Sequence, residues 1–283
     1  MYEQITNQII EKLNAGVRPW TKPYEGGGFS MPKRVTGEYY KGINVVVLWL
    51  TAEQHGFTSP YWMTAPQAYK LGGSNKGQKS AARVMVSKPQ TKEDADGNEY
   101  TYRMTKFMPV FNVDQITGLP DNFYSKPSIP ANPDGRIDDV DRFISSIDAN
   151  IQTSNGTPCY IPHLDRICMP DFAAFRSALD YYSTLTHEVV HWSGHESRLD
   201  RLNLKNKKGY AFEELVAELG ASFLMAHLGL EPTVRDDHAE YIGSWIKALS
   251  DDHKYIFQAA AAAQKAVDFI NNEAATTINV NAA

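Results

Sequence analysis

The spacing of apolar residues in the first part of the chain predicts a small mixed domain. Residues 3–15 carry apolar side chains every three or four positions, the pattern of an amphipathic helix. Alternating patterns over residues 82–88, 100–106 and 108–113 predict strands of a small antiparallel sheet. The apolar run over residues 44–50 fits either a buried strand or the start of a helix, because so short a run has no diagnostic period.

The pattern changes in the second part of the chain, which is predicted to be mostly helical. A proline-rich polar stretch over residues 125–135 indicates a linker. Residues 137–151 have the apolar face of a helix, and two short strands are predicted at 159–161 and 166–169. We therefore expect an α+β protein with two domains. The expected boundaries are 1–125 for the N-terminal domain, 126–136 for the linker and 137–283 for the C-terminal domain.

The motif that carries the most chemistry is the HExxH pattern His187-Glu188-Val189-Val190-His191. On a helix, residues four apart lie on the same face, so His187 and His191 can present two imidazole nitrogens to one Zn²⁺. Glu188 lies beside them, where it can take a proton from a water that the metal activates. The sequence thus predicts a zinc hydrolase site, in which another divalent transition metal is an alternative.

A third metal ligand is expected from a later helix that contains Glu213-Glu214-Leu215-Val216-Ala217-Glu218. Glu214 and Glu218 are four residues apart and share a face. We assign Glu214 as the ligand and Glu218 as the acceptor of the second ring N–H of a ligand histidine. Glu213 points about 100° away and is expected to be solvated. His195 is poorly spaced for a ligand, since the longer HExxHxxGxxH pattern has its histidine where this chain has Ser197.

Charge and aromatic residues point to a second function in the N-terminal half. Residues 1–120 hold 14 basic and 10 acidic side chains, against 14 and 23 in the remainder. Cations alternate with aromatic residues in the irregular segment 18–41, a combination typical of single-strand nucleic-acid binding. A glycine-rich stretch adds two lysines but lacks the spacing of a phosphate-binding P-loop. The candidate nucleic-acid contacts are Arg18, Trp20, Lys22, Tyr24, Arg34, Tyr39, Tyr40, Lys41, Lys76 and Lys79.

Composition limits where the protein works. No apolar run reaches the length of a transmembrane helix, and the first residues lack the pattern of a signal peptide. The two cysteines, Cys159 and Cys168, do not make a disulfide framework and are expected to be buried thiols. A cytoplasmic protein without a membrane partner is therefore expected.

Phrases spread over nearly the whole chain resemble the plasmid antirestriction proteins of the ArdC type. The N-terminal phrases are GVRPWTKPY, TGEYYKGINVVVLW, YWMTAPQAYKLGG and FNVDQITGL, and the C-terminal ones are DRICMPDFAAF, YYSTLTHEVVHWSGHESRL and YAFEELVAELGASF. This resemblance implies a single-stranded-DNA-binding domain joined to a zincin-like metallopeptidase domain. It also implies carriage on mobile elements and protection of incoming DNA from host restriction.

The sequence leaves the reaction and its partner open. The first possibility is a DNA-binding metallopeptidase that acts on a protein such as a host restriction factor. The second is a DNA-masking protein whose metal site serves structure or binding, and the third, least supported by HExxH, is a nuclease. For a peptidase, His195, Tyr241 and Arg198 are candidates to stabilise the oxyanion or line the cleft. The strand at 166–169 is expected to dock an extended peptide along its edge.

Overall fold

The fold was described from a computed structural model of the chain. The described residues are 1–21, 30–94, 96, 98–124, 135–202, 207–233 and 239–281. They contain eight α-helices and six strands, and they divide into two units. Unit 1 comprises Met1–Met31 with Ser128–Ala283, and unit 2 comprises Pro32–Pro127. The expected α+β fold, with a small antiparallel sheet followed by a mostly helical domain, is confirmed.

Unit 2 is built on a three-stranded antiparallel sheet. Its elements are α2 (Ile43–His55), β1 (Trp62–Met63), α3 (Ala65–Lys70), β2 (Ala82–Glu93) and β3 (Glu99–Asn112). The strand order is β1-β3-β2, and Trp62 pairs with Asn112 at one end of the sheet. A capping box between Thr64 and Gln67 starts α3. Buried apolar residues, with Met63, Phe111 and Val113 among them, form a core cluster of this unit.

The ambiguous apolar run at 44–50 forms a helix, α2. Its residues from Ile43 to Leu50 are buried, so the helix has no polar face that could give it a period. Gly56 ends it in the left-handed conformation, where glycine is favoured. The one amide in the buried turns, Asn44, bonds both backbone groups of Met85, at 2.8 Å and 2.6 Å. The amide therefore acts as a short strand partner for β2.

The strands β2 and β3 form one long hairpin rather than three short strands. Their pairing runs without interruption from Ala82 opposite Val110 to Glu93 opposite Glu99. Phe107, at which the predicted strands 100–106 and 108–113 were separated, is paired with Met85, and Pro109 also lies within β3, opposite Arg83. A proline is tolerated at position 109 because β1 pairs with β3 only at Phe111 and Asn112. No described residue of β1 therefore needs a backbone N–H from Pro109.

Unit 1 combines six helices with a second three-stranded sheet. Its elements are α1 (Tyr2–Asn14), α4 (Asp138–Ser145), β4 (Asn150–Thr153), β5 (Cys159–Ile161), β6 (Arg166–Met169), α5 (Ala178–Ser193), α6 (Lys207–His227), α7 (Ala239–Asp251) and α8 (Tyr255–Asn281). Helix α6 packs against α5, α7 and α8. None of the helices within the described residues is long and apolar enough to span a membrane.

The second sheet corrects the predicted helix 137–151. Helix α4 stops at Ser145, and Ser146 caps it, with its hydroxyl bonded to the carbonyl of Phe143 at 2.7 Å. The chain then enters β4, a strand that the sequence analysis missed. The strand order is β4-β6-β5, with β6 parallel to β4 and antiparallel to β5. Strand β6 is therefore central, and the expected docking of a peptide along its edge is wrong, because both edges are paired.

The first 31 residues group with the C-terminal half of the chain. Helix α1 packs on α7, and the Thr6 hydroxyl donates to the carbonyl of His253 at 2.8 Å. The packed units therefore differ from the expected N-terminal domain 1–125, because residues 1–31 belong to the same unit as the C-terminal half of the chain. Most of the expected linker, residues 125–134, lies outside the described residues.

Candidate metal centre

Helix α5 brings the two motif histidines together at its buried C-terminal half. The Ser177 side chain accepts a bond from the Asp180 N–H at 3.1 Å and so starts the helix. Three turns later, the Nε2 atoms of His187 and His191 lie 3.0 Å apart. The side chains are 2% and 13% exposed, so both imidazoles are shielded from bulk water. Two nitrogens that converge in this way indicate a shared cation.

Glu214 of helix α6 completes the set. Its carboxylate oxygens lie 3.5 Å from Nε2 of His187 and 3.5 Å from Nε2 of His191. A tetrahedral site with bonds of about 2.0–2.1 Å has ligand–ligand edges of about 3.3–3.4 Å. The separations of 3.0 Å between the two histidines and 3.5 Å from each histidine to a different oxygen of Glu214 are near that figure, and among the described residues these three alone group in this way. The donor set therefore fits a small divalent ion such as Zn²⁺.

A glycine lets helix α6 approach helix α5 this closely. A Cβ atom at Gly220 would meet the Val190 side chain at 2.8 Å, well inside ordinary van der Waals contact. Val190 is one of the two central residues of the HEVVH motif. The close contact between Gly220 and the Val190 side chain thus sets the distance between the helix that carries the histidines and the helix that carries Glu214.

Glu213, which the sequence analysis placed in solvent, is 2% exposed and orients a ligand histidine. Its carboxylate accepts from Nδ1 of His191 at 3.1 Å and from the Arg201 guanidinium at 2.8 Å and 2.9 Å. Burial opposes the charge of Glu213, but the bonds from His191 and Arg201 outweigh it and lower its pKa. Burial likewise disfavours the charged form of His191, yet Glu213 and Glu214 raise its pKa. The expectation that Glu213 is solvated is wrong.

Glu218 has partners other than those expected. It lies one turn beyond Glu214 and is 5% exposed, but its carboxylate accepts from the Trp20 indole N–H at 3.1 Å. Its other oxygen lies 3.6 Å from the Arg18 guanidinium, which is 4% exposed. These contacts of Glu218 tie the N-terminal segment to α6, and the carboxylate that contacts Nδ1 of His191 is that of Glu213.

Glu188, the candidate base, follows the first ligand histidine and is 4% exposed. Its charge contributes to raising the pKa of His191 and of Tyr210, which places it within electrostatic reach of both. A buried carboxylate beside a cation site is in the position that general-base chemistry requires. The structure thus brings His187, His191 and Glu214 together, with Glu188 next to the first of them in the chain.

The three candidates for oxyanion stabilisation differ in their availability. Arg198 is held by Asp165, by the Tyr160 hydroxyl at 3.2 Å and by the Trp192 carbonyl at 2.7 Å, which commits its guanidinium to structure. The bonds that Arg198 and the Tyr160 hydroxyl donate to Asp165 lower the pKa of that carboxyl to about 2. His195 is half-buried and bonds the Ser197 hydroxyl at 2.8 Å.

Tyr241 belongs to a pair of tyrosines beside the metal ligand. Its ring lies 5.8 Å from that of Tyr210, and the Tyr210 hydroxyl bonds both Tyr241 and Glu214. Burial, followed by the charge of Glu214, raises the pKa of Tyr210, so this phenol stays protonated at neutral pH. Tyr210 was not among the residues predicted from the sequence, although it precedes Glu214 by one helical turn on the same face.

The cysteines are less buried than expected. Cys159 is exposed and Cys168 is half-buried. They are opposite each other in the pairing of β5 with β6, and both strands pack on α5. Burial, the neighbouring Cys168 and the charge of Glu188 raise the pKa of the Cys159 thiol. The expectation of two buried structural thiols is wrong, because Cys159 lies on the edge strand.

The candidate DNA contacts fall into three groups. Three are buried and cannot meet a nucleic acid without a rearrangement, namely Arg18, Trp20 and Tyr40, at 4%, 0% and 6% exposure. Tyr39 is half-buried, and four cations reach solvent, namely Arg34, Lys41, Lys76 and Lys79. Lys22 and Tyr24 lie outside the described residues. Among the candidate aromatic residues that the structure describes, Trp20 and Tyr40 are therefore not available for base stacking, whereas Tyr39 is partly exposed.

Comparisons with known proteins match both parts of the chain. The family model described as the N-terminal domain of anti-restriction factor ArdC matches residues 1–113, and a model described as a zincin-like metallopeptidase matches residues 138–262. Uncharacterized protein y4eC of Sinorhizobium fredii is 33% identical over 96% of this chain and 91% of its own length. DNA primase TraC of Escherichia coli is 36% identical over 95% of this chain, which spans 27% of the primase.

Two solved structures resemble the whole chain. The metal-free crystal structure of the antirestriction ArdC protein from the R388 plasmid has a TM-score of 0.84 and 43% identity, and the match covers 98% of both chains. The Mn(II)-bound structure of that protein has a TM-score of 0.78 and 44% identity, and covers 97% of this chain and 98% of the other.

Proposed function

The chain belongs to the ArdC family of antirestriction proteins, and from this premise we propose that it is a DNA-binding zinc metallopeptidase that protects incoming mobile-element DNA from host restriction. One observation carries the peptidase part of the proposal. His187, His191 and Glu214 converge at metal-site distances, with Glu188 next to the first of them. A site that served only structure would have no need of an additional buried base.

In the proposed mechanism, His187, His191 and Glu214 would hold Zn²⁺, which when bound would supply Lewis-acid chemistry and lower the pKa of a bound water to about 7. Glu188 accepts the proton of the attacking water and passes it to the leaving amine. Glu213 fixes the ring of His191 through Nδ1, so that Nε2 points toward the site. The protonated phenol of Tyr210 lies beside Glu214. A hydrogen bond from this phenol to the substrate oxygen would stabilise the negative charge that develops there.

The choice of zinc rests on the donor set. Two imidazoles and one carboxylate suit Zn²⁺, whereas sites for Mg²⁺ or Ca²⁺ use oxygen ligands throughout. Manganese also accepts imidazole and carboxylate ligands, and the R388 protein has a Mn(II)-bound structure. Metal analysis of the protein as purified, compared with His187→Ala, tests this part. About one equivalent of zinc that disappears in the variant is expected.

The reaction is tested with Glu188→Gln, which keeps size and hydrogen bonding but removes the base. Wild type and variant are compared in cleavage of fluorescein-labelled casein and in plasmid transfer into a restricting recipient. We expect the variant to bind zinc, to lose cleavage by at least about 100-fold and to lose protection. A variant that protects as well as wild type would instead favour a non-catalytic DNA-masking protein, and degradation of the added DNA would favour a nuclease.

A further inference from the structure

The outer part of the β2–β3 hairpin is a two-stranded ribbon that buries little of its own surface. At its base, Val84 and Val110 are 3% and 1% exposed. From Lys88 to Glu93 and from Glu99 to Arg103, every described residue is exposed. A two-stranded ribbon in water is marginally stable, so an extended one that carries exposed aromatic rings indicates a contact surface.

The register assigns these residues to two different faces of the ribbon. Directly opposed residues share a face, and successive residues alternate between faces. One face therefore combines three lysines with two tyrosines and no acidic residue. This lysine–tyrosine face consists of Lys88, Lys92, Lys106, Tyr100 and Tyr102.

Acidic residues of the hairpin lie away from this face. Glu93 and Glu99 are opposite each other, and alternation places both on the other face. The Asp94 carboxylate accepts from the backbone N–H groups of Asp96 and Asn98 at 2.9 Å each, which commits it to the turn. A polyanion bound across the lysine–tyrosine face would contact the lysines and would lie away from the acidic residues at the tip of the hairpin.

The side chains of the lysine–tyrosine face are available for a ligand. None of its three lysines makes an ion pair with another described residue. Tyr100 and Tyr102 are 46% and 38% exposed, and their rings are 6.2 Å apart and tilted by 40°. The base of the ribbon is fixed, because Asn44 bonds the backbone of Met85. A fixed, exposed array of rings and cations is the arrangement that stacks bases and follows a phosphate backbone.

We propose that the lysine–tyrosine face of the β2–β3 ribbon binds single-stranded nucleic acid, with bases stacked on the two tyrosines and phosphates beside the three lysines. This inference rests on the proposed DNA-binding function and assigns it a surface, in place of the buried Trp20 and Tyr40. Single strands are favoured over a duplex, because the rings need unstacked bases.

The test is the fluorescence anisotropy of a fluorescein-labelled oligothymidylate of about 20 nucleotides, titrated with the full-length protein at several salt concentrations. The Tyr100→Ala/Tyr102→Ala variant should bind at least about 30-fold more weakly, and the corresponding phenylalanine variant should bind as wild type does. The Lys88→Ala/Lys92→Ala/Lys106→Ala variant should reduce the slope of log affinity against log salt by about 2, from about 0.7 per phosphate contact.

The matched control lies on the opposite face. Thr91 and Thr101 are directly opposed and exposed, and Thr91→Ala/Thr101→Ala should leave binding unchanged. Binding by wild type that persists undiminished in both the tyrosine and the lysine variants would overturn this surface while leaving the proposed function intact. Absence of binding by wild type would overturn both. A duplex bound as tightly as the single strand, and insensitive to the tyrosines, would overturn the stacking role.

Discussion

The contrast between Glu213 and Glu218 allows a direct test of how the metal centre is supported. Both are buried glutamates of α6, and each faces a buried cation. Glu213 also holds Nδ1 of His191 at 3.1 Å, whereas Glu218 contacts Trp20 and Arg18. Changing each to glutamine removes one negative charge and keeps the volume. We expect Glu213→Gln to weaken metal binding and Glu218→Gln to leave it near the wild-type value.

The expected magnitude follows from the role of the carboxylate. Losing the partner that orients a ligand histidine typically weakens metal affinity by about 10- to 100-fold, or about 1.4–2.7 kcal/mol. Both variants should also lose stability, because each leaves an arginine without its buried counter-charge. The assay is a competition titration of Zn²⁺ between metal-depleted protein and a chromophoric chelator at pH 7. Thermal unfolding of the metal-free proteins measures the stability loss separately.

The matched pair separates orientation from general destabilisation. If both variants unfold at lower temperature but Glu213→Gln alone binds zinc more weakly, the carboxylate acts through His191. Equal zinc affinity for Glu213→Gln and wild type would refute the reasoning. A loss of affinity confined to Glu218→Gln would support the arrangement that the sequence suggested.

Three further changes test other parts of the structure. Gly220→Ala should destabilise the protein by about 1–3 kcal/mol, because its Cβ would meet the facing valine at 2.8 Å, whereas Gly243→Ala, with no atom within 4 Å, should stabilise it by up to about 1 kcal/mol. Thermal unfolding compares the two, and equal shifts would contradict the packing argument. Asp165→Asn should lower the melting temperature at neutral pH, because its arginine partner holds the folded-state pKa at about 2, below the usual value. That stabilisation is present above about pH 4 and is lost as the pH falls toward 2, so a difference between the two melting curves that stayed constant to pH 2 would be evidence against the ion pair. Cys159 should be alkylated by iodoacetamide with a pH midpoint above that of a free thiol, as intact mass measures, since burial and its cross-strand cysteine raise its pKa. An ordinary midpoint would contradict this.

The grouping of the candidate metal ligands was predictable because their geometry is mostly local. The spacing of His187 and His191 fixes both on one helical face before any tertiary contact is known. Glu214 followed from the same helical logic applied to a second helix. The spacing does not give the rotation of α6 about its own axis. The partner of each glutamate of α6 depends on that rotation.

The proposed nucleic-acid contacts were harder to find from the sequence because exposure is a tertiary property. Trp20 and Tyr40 lie among cations and prolines in the sequence, yet both rings are buried, and Trp20 bonds a residue 198 positions away. The tyrosines of the ribbon lie close to four acidic residues in the sequence. A count of charges along the chain therefore did not indicate a basic surface there. Their separation from those acids becomes visible only when the register assigns Glu93 and Glu99 to the opposite face.

The misplacement of Glu213 has a specific physical cause. The prediction treated α6 as a helix with one buried face, so that a residue about 100° from Glu214 would meet water. Helix α6 instead packs against α5 on one side and α8 on another, and from Glu213 onward the residues of its central turns are buried. A buried carboxylate must find partners, and Arg201 supplies the charge that makes this position tolerable for a glutamate. The arginine follows α5 in the chain, so the sequence does hold both halves of the pair. Recognising them requires knowing that α6 is covered on more than one side.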